Sequence, residues 1–202
     1  LQWVATHRKH HAYSDQDEDP HSPRHGGVWA HINWMTPQYG RKYFDELMNR
    51  YCPDLLKDPG MRFLHKAFLP MHILLGATMF AVGYFGWDLY TGLSFLTWGM
   101  FARLTYVLHI TWFVNSATHM WGYRNYTTTD RSRNLWWVAA LSYGEGWHNN
   151  HHAHPVSARH GLAWYEFDIS WITLKLMRAL GIVSNIQVAR LPQNDEERRA
   201  AA

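Results

Sequence analysis

Apolar and polar positions along the 202-residue chain fall into four blocks. Residues 1–66 form the first, polar and rich in histidine over 1–35. Residues 67–115 hold the long apolar runs, and residues 116–191 return to a polar, aromatic mixture. Residues 192–202, PQNDEERRAAA, read as a frayed tail. Within the apolar block, AFLPMHILLGATMFAVGYFGW (67–87) and LSFLTWGMFARLTYVLHITWFV (93–114) are each long enough to cross a hydrocarbon core about 30 Å thick. The connection between them is short, so the two spans form a helical hairpin. The turn carries no Lys or Arg, whereas Arg62, Lys66 and Arg124 flank the outer ends. That bias puts both outer ends on the cytoplasmic side. The soluble alternative is a pair of buried core helices, which the slightly negative mean hydropathy favours. Span length and the flanking Trp87, Trp98 and Trp112 outweigh it. His72, Arg103 and His109 lie inside the spans, where ionisable groups are costly, so each is expected to be satisfied by a neighbouring helix.

Two shorter helices follow from periodicity. RKYFDELMNRY (41–51) puts Phe44, Leu47, Met48 and Tyr51 on one face, and CPDLLKDPG then breaks it. WYEFDISWITLKLMRALGI (164–182) has a broad apolar face, suited to a membrane surface or the underside of a cytoplasmic cap. SDQDEDPHSP (14–23) and Gly26-Gly27 mark a loop. The expected architecture is therefore all-α: one integral membrane domain with a histidine-rich cytoplasmic cap.

Composition sharpens this. The chain has 15 histidines and 12 tryptophans, one residue type favoured by metals and one enriched where membrane meets water. The net charge of +3, with no basic stripe, gives no footprint for nucleic acid. A lone Cys52 excludes an intramolecular disulfide and a cysteine-based zinc site. Leu1 stands where an initiating methionine would, so an internal starting point is expected and any targeting signal lies outside the chain.

The chemistry concentrates in two stretches. THRKHH (6–11) gives His7, His10 and His11 the spacing H-x-x-H-H, and on a helix i, i+3 and i+4 share a face. GEGWHNNHHAHP (144–155) repeats it with His148, His151 and His152. The two triplets flank the hairpin and end on one side of the membrane. Six imidazoles exceed what one zinc ion needs, and imidazole also suits iron. Two metals fit better, and a paired iron site at a membrane points to dioxygen chemistry on a lipid-like substrate. His21, His25, His154 and His160 read as loop residues or supports.

With DQDEDPHSP and NSATHMWGYR (115–124) added, these motifs resemble the membrane fatty-acyl desaturases, the stearoyl-CoA desaturase (delta-9) family, in its bacterial and plant-like branch. The likeness covers nearly the whole chain. It implies two Fe2+ ions with O2 as co-substrate, and a cis double bond placed in a saturated acyl chain. His7, His10 and His11 match the second of three histidine boxes, and His148, His151 and His152 the third. His119 matches a further ligand, and Asn115, one turn earlier, a residue that approaches one metal through water. Trp3, Thr111 and Trp112 match residues lining the kinked acyl tunnel. The first box and the two spans before it have no counterpart, so the chain is expected to be an N-terminally truncated fragment with two of four transmembrane helices, itself inactive. Ala5 and Thr6 replace the Arg-Asp with which animal relatives touch CoA, which leaves the carrier open among acyl-CoA, acyl-lipid and others. No haem-attachment motif or dinucleotide loop is found, so electrons are expected from a ferredoxin or a small haem protein. Arg8, Lys9 and Arg124 are candidate docking charges for it. The expected location is a bacterial inner membrane, multi-pass. Two alternatives are a di-iron hydroxylase of alkane or sterol type and a membrane electron carrier with haem between His72 and His109.

Overall fold

The computed structural model describes residues 1–37 and 39–190. The expected tail at 192–202 lies outside them. Among the described residues all regular structure is helical, and two isolated antiparallel bridges, Tyr123 with Asn134 and Asn134 with Trp147, complete it. The chain divides into two compact units: residues 1–12 with 37–109, and residues 13–36 with 110–202.

In the first unit, α1 (Gln2–Tyr13) begins the chain and its last residue crosses into the second. Its Ala5 packs with Leu47, Met48 and Cys52 into a small core, edged by Phe44 and Tyr51. Leu47 and Met48 come from α3 (Arg41–Tyr51), a helix with the bounds its periodicity predicts. Helix α4 (Pro59–Gly86) is the longest. Asp58 caps it, accepting from the Gly60 and Met61 amides at 2.7 and 3.1 Å, and Pro59 occupies the first turn, where no amide is needed. The cap places its start eight residues before the apolar run at 67. At about 1.5 Å per residue it spans about 42 Å. It is long and apolar enough to cross a membrane, and only 11% of its most apolar window is buried. A soluble core helix would be mostly buried, so that alternative does not describe α4.

A turn of two residues, Trp87 and Asp88, leads into α5 (Leu89–Leu96). The hairpin is tight because it has no side chains at the crossing: a Cβ on Gly83 would lie 2.8 Å from the backbone of Gly92. The second apolar run is not one regular helix. It comprises α5, a π-helical turn at Thr97–Ala102, and α6 (Arg103–Met120). Among the described residues α4 is the one helix that is long and apolar enough to cross a membrane by itself. The ionisable residues differ from expectation too. His72 Nδ1 donates to Phe68 O at 2.7 Å and Arg103 Nε to Gly99 O at 2.9 Å. Each is satisfied by a carbonyl one turn back in its own helical run, because a long side chain on a helix leans toward the N-terminus.

The second unit holds the C-terminal half of α6 and a core of Val114, Ala117, Leu135 and Val138. Helix α2 (Gly27–His31) sets His31 Nδ1 3.1 Å from Ser116 Oγ. Helix α7 (Trp136–Leu141) and the short α8 (His148–Ala153) follow. Helix α9 (Ile169–Ala179) is shorter than the expected 164–182. Asp168 caps it through the Trp171 amide at 2.8 Å, so residues 164–168 form the turn before the helix.

Candidate metal centre

In the first unit α1 holds the first H-x-x-H-H as one helical face. His7 and His11 bring Nε2 atoms to 3.1 Å, and the His7–His10 and His10–His11 ring centroids are 6.1 and 5.6 Å apart. His10 is fully buried. The intervening cations face elsewhere. Arg8 makes a two-pronged pair with Asp54 at 2.6 and 2.9 Å and donates to Tyr51 O at 2.8 Å, while Lys9 lies over the Tyr43 ring. Arg8 thus ties α1 to the segment that ends α3, with its side chain still 40% exposed. Trp3 stacks on His7 and is half exposed, and it borders a cavity with Met61, Leu64, His65 and Phe68.

In the second unit α6 supplies Asn115 and His119, and α8 supplies His148, His151 and His152. His148 Nε2 stands 3.1 Å from His119 Nε2 and 3.0 Å from His152 Nε2. One ligand atom from each of the three lies within 4.8 Å of the others. Both outer rings are oriented from behind by carboxylates. His119 Nδ1 bonds Asp15 Oδ2 at 3.0 Å and His152 Nδ1 bonds Asp130 Oδ2 at 2.6 Å. A carboxylate only accepts, so each Nδ1 carries the proton and each neutral Nε2 points its lone pair at its neighbours. With His148 in the same tautomer, three lone pairs converge on one point that a cation would occupy. Nitrogens about 2 Å from one ion stand about 3 Å apart, so the donor set fits a metal. The carboxylate–histidine pairs are the usual supports of such ligands.

The electrostatics agree. Burial alone would push the Asp130 carboxyl up, but the His152 bond and Ser132 hold it well below the usual range. Burial raises and the His119 and Arg131 bonds lower Asp15, with a net lowering. Burial depresses His152 more than Asp130 raises it, which keeps the imidazole neutral and ready to ligate. Asp15 sits at φ 60 in the turn after α1, and it also accepts the Arg131 amide at 2.6 Å. Aspartate tolerates that backbone better than most residues.

Asn115 is 3% exposed, and its Nδ2 has no hydrogen-bond partner among the described residues. A buried amide donor of this kind suits a bound water. Trp112 is buried, with its ring 5.8 Å from that of His31. His21 is buried beside Asp19, and His160 packs on the His151 ring at 4.6 Å, so His160 supports the third box. Asp15 and Asp130 are the residues sequence reasoning missed. Asp15 was legible only as part of an acidic loop, and nothing local marks Asp130.

The fatty acid desaturase family model matches residues 1–173. The sn-1 stearoyl-lipid 9-desaturase of Anabaena variabilis is 47% identical over 189 residues, covering 94% of this chain and 65% of that protein. The enzyme of the same name from Synechocystis sp. is 44% identical over 188 residues, 93% of this chain and 56% of that protein. An acyl-CoA C20 Delta5-desaturase of Anemone leveillei is 43% identical over 188 residues, 92% of this chain and 57% of that protein. The chain spans between half and two thirds of the length of the relatives it matches.

Proposed function

The chain belongs to the fatty acid desaturase family, and we propose that it carries the iron-binding core of an acyl-lipid delta-9 desaturase. The reaction removes one hydrogen from each of two adjacent methylenes of a saturated acyl chain. With O2, two electrons and two protons it yields a cis double bond and two waters. The observation that carries this reading is the His119, His148 and His152 cluster, with Nε2 atoms 3.0–3.1 Å apart and Asp15 and Asp130 behind two of the rings.

The ligands are His7, His10, His11, His119, His148, His151 and His152, with Asn115 acting through water. When bound, a pair of iron ions supplies the capacity to activate dioxygen. The chain's own residues supply the rest. Asp15 and Asp130 fix the tautomers of His119 and His152. Trp3, Thr111 and Trp112 line the acyl chain and set how deep it reaches. Depth decides the product, because mid-chain methylenes have no group to mark them. Helix α4 and the α5–α6 run form the membrane hairpin, with Arg62, Lys66 and Arg124 on the cytoplasmic side. Electrons come from a separate ferredoxin or small haem protein. The names of the stearoyl-lipid relatives and the replacement of Arg-Asp by Ala5 and Thr6 favour a glycerolipid-linked substrate over acyl-CoA.

The test is the fatty-acid profile of a desaturase-deficient host expressing the whole gene. A delta-9 monounsaturated acid on glycerolipid is expected, and none with His151→Ala. Hydroxylated or unchanged chains overturn the reading. A monounsaturated product confined to acyl-CoA overturns the carrier.

A further inference from the structure

Helix α8 holds three candidate ligands in six residues, HNNHHA, and has no side-chain cap at its N-terminus. So short a helix of poor helix formers does not hold itself. What fixes it lies between the ligands. Asn149 Oδ1 accepts the Asn125 and Tyr126 amides, each at 2.8 Å. Asn150 Oδ1 accepts Asn125 Nδ2 and Asn134 Nδ2, each at 2.9 Å. Asn150 Nδ2 donates to His160 O at 2.8 Å and to Glu166 Oε2 at 2.7 Å.

Glu166 is the hub of this network. It is 4% exposed. Its Oε1 accepts from Tyr123 OH, Asn125 Nδ2 and Asn134 Nδ2 at 2.7, 2.7 and 3.2 Å. Its Oε2 accepts from Asn150 Nδ2 and the Leu162 and Ala163 amides at 2.7, 2.8 and 2.8 Å. Six donors converge on one side chain, and only a carboxylate answers them all without a donor of its own. The turn around it leaves no slack, since a Cβ on Gly161 would lie 2.1 Å from Glu166 O. Glu166 touches none of the candidate ligand rings through these bonds. It reaches them through Asn150, which sits between His148 and His151 in sequence.

We propose that Glu166 is a positioning residue for the metal centre, holding α8 through Asn150 so that His148, His151 and His152 keep their ligating orientation. The inference rests on the metal reading above. Glutamine at 166 would turn an NH2 group against donors, and serine at 150 would release the tie from the other end. The test is Co2+ titration of the whole protein in detergent, followed by its ligand-field absorption, for wild type, Glu166→Gln, Asn150→Ser and the double variant. Each single variant is expected to bind Co2+ about tenfold more weakly, with a shifted band. The double variant is expected to be no weaker than the weaker single, because both changes cut one connection. Wild-type affinity and spectrum in the variants, or losses that multiply in the double, overturn the proposal. If Glu166→Gln does not fold, Asn150→Ser alone decides, and wild-type binding there overturns it. A wild-type protein that binds no Co2+ overturns the metal reading itself, which separates the two failures.

Discussion

Asp130 shows what one residue adds to a histidine box. The box spacing turns three imidazoles to one side of α8, but spacing says nothing about which nitrogen carries the proton. Asp130 decides that for His152 at 2.6 Å. Asp130→Asn can present an NH2 to Nδ1 and so move the proton to Nε2, where it blocks the lone pair. The expected result is metal affinity lower by about 10- to 100-fold with little change in helix content, read by metal titration and circular dichroism. These residues also mark the limit of the sequence. His148, His151 and His152 were legible because their relation is local. Asp15 and His119 stand 104 positions apart, and Asp130 and His152 stand 22 apart. No periodicity links such pairs, since the chain path alone brings them together. A second residue-scale prediction concerns the Arg8–Asp54 pair. The Arg8 hydrogen bond draws the Asp54 carboxyl down to about 2. A depressed carboxylate stabilises the fold above its unfolded value of ~4 and ceases to do so as pH falls through about 2. Asp54→Asn should therefore lower the thermal midpoint slightly at pH 7, and by less at pH 2, where the pair is already half protonated.

At the scale of elements, the α4–α5 hairpin depends on two glycines that the sequence offered without a reason. The apolar runs made the hairpin legible. The crossing at Gly83 and Gly92 did not follow from them, because close approach is a property of two helices and not of either one. Gly83→Val puts carbon where the Gly92 backbone lies 2.8 Å from the position of a Cβ. It should destabilise the hairpin by about 1–3 kcal/mol, seen as a lower denaturation midpoint in detergent. The same limit explains the second apolar run. Its composition reads as one continuous span, whereas the backbone changes to a π-helical turn at Thr97–Ala102 before α6. Helix α3 was legible to the residue because its apolar face is regular. Helix α9 was overextended, because Asp168 is spent on a cap that hydropathy does not register.

At the scale of the whole molecule, this member of the desaturase family combines an exposed apolar helix long enough to cross a membrane with buried imidazoles under carboxylate support. On the proposed function, the histidine boxes of the whole protein hold two iron ions without haem. Its most direct test is the iron content of the purified whole protein, recorded with its optical spectrum. Two irons per polypeptide and no Soret band are the predicted result. A Soret band, or a protein that retains no iron after loading with Fe2+, would contradict it.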